Sequence, residues 1–97
     1  MQVMMRYTFG PGGAGRLAYE RFAKWAPDEG FAIKSGWVSA SNDGGFLLLE
    51  ADTTEALLKF SAQFKDLNES LEIVPVVDLT DGVGIAMSAY QWIDSLG

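Results

Sequence analysis

The sequence predicts an α+β fold whose elements follow the order β-α-β-β-α-β, with one more helix at the C-terminus. Three observations carry that prediction. Phe46-Leu47-Leu48-Leu49 is an uninterrupted apolar run, so both faces of its strand should be covered and the strand should be central in a sheet. Behind it, Asp52-Thr53-Thr54-Glu55 has the spacing of a capping box, an acceptor side chain with Glu three residues on, so the strand runs straight into a helix. Pro75, inside the apolar stretch Leu71–Asp78, cannot donate to a ladder, which assigns the last strand to an edge or a bulge.

The elements follow in order. Val3, Met5, Tyr7 and Phe9 alternate with Met4, Arg6 and Thr8, giving a first strand with one apolar and one mixed face. It ends in Gly10-Pro11-Gly12-Gly13-Ala14-Gly15, which matches G-x-G-x-x-G between a strand and a helix. The context for a dinucleotide fails: the chain is short, the next two strands read as a hairpin, and no acidic residue closes a second strand to hold a ribose. A flexible turn is the reading we take, with anion binding at the helix N-terminus left open. The first helix runs from about Ala14 to Ala26, with Ala14, Leu17, Ala18, Phe22 and Trp25 on one face and Arg16, Glu20 and Lys24 on the other. Arg21 falls inside the apolar arc. It either snorkels at the edge of the core or directs its guanidinium into a cavity, where Glu50 or the anionic group of a ligand would accept.

Phe31 to Ala40 reads as a second strand, with Phe31, Ile33, Ser35, Trp37 and Ser39 on one side. The turn signal Ser41-Asn42-Asp43-Gly44 joins it to the third strand as a hairpin. On the second helix, Leu57, Phe60, Phe64 and Leu67 form a core stripe. After the fourth strand, Ile85, Ala89, Trp92, Ile93 and Leu96 are spaced for a helix that lies on something. A β-α-β-β-α-β order of this kind is a ferredoxin-like split βαβ, with the first and third strands central, in a single domain covering residues 1–97.

Composition narrows the chemistry. Hydrophobic residues make up 48% of 97, more than one small core needs, and a partner subunit is the usual remedy. With no Cys and no His, disulfides, thiolate nucleophiles, the usual general base and the common transition-metal and haem ligands are missing, so we expect no cofactor. A net charge of −6 with scattered Lys and Arg argues against nucleic acid. No apolar run approaches the ~20 residues of a membrane span, and Met1–Arg6 lacks the organisation of a signal peptide, so the expectation is a cytoplasmic protein with no membrane partner.

Arg6-Tyr7-Thr8-Phe9, Arg21-Phe22, Gly36-Trp37, the Gly45–Asp52 corner and Val74-Pro75-Val76-Val77-Asp78 resemble stretches of a family of small bacterial proteins of unknown function, over most of residues 1–78. The resemblance implies the dimeric α/β-barrel superfamily, in which two ferredoxin-like sheets face each other, and hence a homodimer. The chain departs from its relatives in the glycine-rich loop, where they more often carry charged residues, and in its long C-terminal segment. Cofactor-independent monooxygenases, haem-degrading enzymes, lactone isomerases and ligand-sensing domains share that superfamily. None of their catalytic motifs transfers residue by residue.

The function this supports is binding of a small acidic or aromatic molecule between sheet and helices, with Arg6, Tyr7, Arg21, Trp25, Trp37 and Glu50 as candidate lining residues. Arg would hold a carboxylate or enolate, Tyr or Glu would move a proton, and the Trp rings would stack on the ligand. The alternatives are a dimeric interaction module without ligand, and a monooxygenase- or isomerase-like enzyme that needs no cofactor.

Overall fold

The computed structural model describes residues 1–97. Its elements are β1 (Gln2–Phe9), α1 (Ala14–Lys24), β2 (Phe31–Val38), β3 (Gly44–Ala51), α2 (Thr54–Phe64), a single 3-10 turn (Lys65–Leu67), β4 (Asn68–Val76) and α3 (Leu79–Ser95). The strands form one four-stranded antiparallel sheet in the order β2-β3-β1-β4. The apolar run is therefore central, and Pro75 lies in the edge strand β4, opposite Val3.

One face of the sheet carries the core. Val3 and Met5 of β1, Leu49 and Ala51 of β3 and Phe31 of β2 pack against Leu57, Phe60 and Phe64, the buried stripe of α2. A smaller cluster joins Ala14 and Ala18 of α1 to Leu67, with Phe9 against it. The glycine-rich loop is a turn: Gly12 and Gly13 have φ of 74° and 81°, a left-handed conformation that a side chain disfavours, and Gly13 enters α1 without a side-chain cap.

Four details depart from the sequence reading. The cap of α2 is Thr53, whose hydroxyl accepts from the Ala56 N–H at 3.1 Å. The helix thus starts one residue later than an Asp52 cap requires, and Glu55 loses the N3 position from which it would complete a capping box. In β2, the register shifts between Ile33 and Ser35, leaving Lys34 as an extra residue. That bulge reverses the alternation, so Trp37 pairs with Phe46 and leaves the side shared by Phe31 and Ile33. On α1, Leu17 and Phe22 stay about half exposed and only Ala14 and Ala18 are buried.

The fourth departure is the C-terminal helix α3: its spacing predicts that it lies on something, and it packs on nothing in its own chain. The uncovered sheet face, by contrast, is the mixed face that no helix of the same chain was expected to cover. Both helices of the β-α-β-β-α-β unit pack on the same face, so the opposite face, bearing Met4, Trp37, Phe46, Leu48, Val74 and Val76, has no cover from its own chain. Trp37 is 55% exposed and Phe46 43%. Nor does α3 cover it, since none of its 17 residues is buried. The helix projects from the body, giving extents of 58 × 31 × 19 Å and a radius of gyration of 17.1 Å. A chain of this length packed into one compact body would have about 12–13 Å. No helix is long and apolar enough to cross a membrane.

Candidate functional site

Between the helix-bearing face of the sheet and α1 and α2 lies a half-open cavity of about 370 Å³. Its floor is Met5, Tyr7 and Phe9 of β1 with Leu47 of β3 and Leu71 of β4; its roof is Ala18, Tyr19 and Phe22 of α1 with Phe60, Ser61 and Phe64 of α2. The alternation of β1 and the apolar stripe of α2 bring these side chains together. The space between them persists because Ala18 is small and the Phe22 ring turns aside to stack on Trp25, 5.7 Å between centroids. Gly45 helps as well: a methyl there would lie 2.6 Å from the Tyr7 hydroxyl, so glycine lets the phenol lean over β3.

The lining holds no charged side chain. Its polar groups are few. Tyr19 donates to Asn42 Oδ1 at 2.8 Å, tying α1 to the β2–β3 turn, and Ser61 donates back to the Leu57 carbonyl at 3.0 Å. The Tyr7 hydroxyl has no hydrogen-bond partner among the chain's side-chain bonds, and burial pushes its pKa up, with Tyr19 adding to the shift and Arg6 opposing it. It remains a neutral donor. Asn68, where β4 begins, donates through Nδ2 to the Phe64 carbonyl at 2.8 Å.

Of the six residues singled out from sequence, Tyr7 and Trp37 belong to this lining, Trp37 at the end of β2, where its register sets the side chain toward the other face. The other four lie elsewhere, each with partners of its own. Arg21 is a clamp between helices: it grips Asp66 through two bonds of 2.7 and 3.0 Å, donates to the Gln63 carbonyl and stands over the Phe64 ring. Its acceptor is therefore Asp66, not Glu50. Trp25 donates its indole N–H to Gln63 Oε1 at 2.9 Å and packs edge-on against Phe31 and Phe60. Glu50 accepts from the N-terminal amine at 2.9 Å. Arg6 lies on the uncovered face, over the Phe46 ring, donating to the Tyr7 and Gly45 carbonyls and facing Asp43. No group of three or more acidic side chains converges where a cation could sit.

Sequence reasoning missed Phe9, Tyr19, Phe22 and Asn68 as lining residues. The aromatics carry the same signal as core residues, and nothing in a periodicity marks a packed ring from one beside a void. Asn68 begins a polar run, Asn68-Glu69-Ser70, that reads as a loop but forms the first residues of β4.

The profile of a family described as a domain of unknown function (DUF3303) matches residues 1–90. The match extends past the strands and well into α3. No curated protein and no solved structure matches the chain.

Proposed function

The chain belongs to the DUF3303 family of domains of unknown function, and we propose that it works as a homodimer of the dimeric α/β-barrel kind, each protomer holding one small, largely apolar molecule between its sheet and its helices. The observation that carries the binding role is the cavity itself. Well-packed cores keep few voids larger than a water, whereas about 370 Å³ open to one side falls within the range of ligand pockets. Its lining favours an aromatic or aliphatic ligand over an acidic one, because both nearby arginines are engaged outside it. The strand order β2-β3-β1-β4 and its antiparallel pairing support the ferredoxin-like reading, and the uncovered apolar face supports a second sheet packed upon it.

Thermal shift with a panel of small neutral aromatics tests the binding role, since a ligand that binds only the folded state raises its melting temperature. Stabilisation by members of the panel is the expected result. Phe60→Trp, which fills the cavity from α2, should abolish the shift while leaving the fold intact by circular dichroism. A panel without any stabiliser would favour the interaction-module alternative, in which the dimer surfaces alone are functional.

A further inference from the structure

The side-chain donor groups of the cavity lining are engaged inside the chain, with two exceptions. Tyr19 donates to Asn42, Ser61 to the Leu57 carbonyl and Asn68 to the Phe64 carbonyl. The exceptions are the Trp37 indole, which its register sets toward the other face, and the Tyr7 hydroxyl. Tyr7 follows Val3 and Met5 in the alternation of β1 and so lies on the helix-bearing face. Its hydroxyl stands over Gly45, 2.6 Å from where a Cβ there would sit, and Gly45 is in step with Leu47 and Leu49 on that same face. Gly45 pairs with Tyr7 on one side and Val38 on the other, and both partners line the cavity. The hydroxyl is open to water as well: the one buried side-chain oxygen or nitrogen without a partner is Asn68 Oδ1, so the equally unpartnered Tyr7 oxygen is not sealed off. Val38 and Tyr19 beside it are exposed, which makes this corner the mouth of the cavity.

We infer that the cavity takes a neutral, flat molecule whose apolar body fills the interior and whose carbonyl oxygen, that of a ketone, aldehyde or ester, accepts from the Tyr7 hydroxyl at the mouth. The inference rests on the cavity being a binding site and adds the chemistry that it selects. A ligand that enters strips water from the phenol, and an O–H then left without an acceptor costs its full desolvation. Tyr7 brings a proton and no charge, since burial pushes its pKa up and keeps it a donor. The aromatic walls, Phe9, Phe22, Phe60 and Phe64, suit a planar body. A carboxylate fits less well: no cation lines the cavity, and the nearby Arg6 is held at the Tyr7 and Gly45 carbonyls, facing Asp43.

The experiment measures dissociation constants of 2-acetylnaphthalene, of 2-isopropenylnaphthalene, in which a CH₂ replaces the carbonyl oxygen, and of 2-naphthoate, for the full chain and for Tyr7→Phe. The preference of the wild type for the ketone over the alkene should fall about tenfold in Tyr7→Phe, because only the ketone meets the phenol proton; the naphthoate should bind the wild type more weakly than the ketone. Infrared spectra give a second readout that does not depend on affinity. The carbonyl stretch of the bound ketone should lie below its value in an alkane for the wild type, and higher for Tyr7→Phe than for the wild type. A ketone-to-alkene ratio and a carbonyl stretch both unchanged by Tyr7→Phe would overturn the inference while leaving the cavity as a binding site. So would a ratio that falls in Ser61→Ala or Trp37→Phe and holds in Tyr7→Phe, or a naphthoate that binds more tightly than the ketone. Failure of all three probes to bind would overturn the binding role itself, and the inference with it.

Discussion

Arg21 lies inside an apolar arc and yet ends in a salt bridge, and its length reconciles the two. The stem crosses the edge of the core while the head reaches Asp66 beyond α2, so one residue joins α1 to the turn before β4. The hydrogen bonds from Arg21 hold the Asp66 carboxyl below its usual range. Its folded pKa is thus depressed relative to the unfolded chain, and the stabilisation is complete above the unfolded value and lost as pH falls through the folded one. Arg21→Met should therefore lower the melting temperature at neutral pH, and the gap to wild type should close below the carboxylate range near pH ~4. Calorimetry at both pH values measures this; a gap that persists in acid would assign the effect to packing over Phe64. Gly45 makes a second residue-scale prediction. An added methyl meets the Trp37 carbonyl and the Tyr7 hydroxyl together, and backbone cannot move aside cheaply. Gly45→Ala should cost about 2 kcal/mol or more in urea unfolding.

Single residues decide where elements begin and which way they face, and there the sequence is least legible. Asp52, Thr53 and Thr54 can each cap a helix, so pattern alone does not choose among them; the Thr53 hydroxyl bond to Ala56 does. Thr53→Ala should cost about 1 kcal/mol of stability, and Asp52→Ala clearly less, as denaturant midpoints would show. A cost concentrated at Asp52 would contradict the cap. The central place of Phe46–Leu49 and the edge place of Pro75 were legible because each follows from a hard constraint, apolar exposure in one case and a missing N–H in the other. The bulge at Lys34 was not, since Ile33-Lys34-Ser35 alternates acceptably in either register until β3 selects one. Trp37 went to the wrong face for that reason. The cavity was illegible for a different one: it is a deficit of packing between residues that all look like core.

At the scale of the whole molecule, the sequence asks for more burial than one chain provides. Thirteen of 97 residues are buried, although 48% of the sequence is hydrophobic. The excess is concentrated in two places, the uncovered sheet face and α3. Around α3 the apolar residues Leu79, Val83, Ile85, Met87, Tyr90, Trp92 and Ile93, with Ala86 and Ala89 and with Leu96 at the C-cap, occupy about two-thirds of the circumference. A helix of that pattern belongs in an interior, and at about 25 Å it is as long as the strands it would lie beside. A second copy provides an identical unmet surface, which is what a two-fold interface requires. The expected outcome is a dimer by light scattering at micromolar concentration, with a melting temperature that rises with protein concentration. Trp92→Glu and Ile85→Glu touch nothing buried within the protomer, so they should yield a monomer whose far-ultraviolet circular dichroism keeps the sheet signal. Trp92 adds a spectroscopic check, because its emission should shift to the red when dilution or Ile85→Glu exposes it. A wild type that stays monomeric with a concentration-independent melting temperature would leave both surfaces without a partner copy and would sink the homodimer.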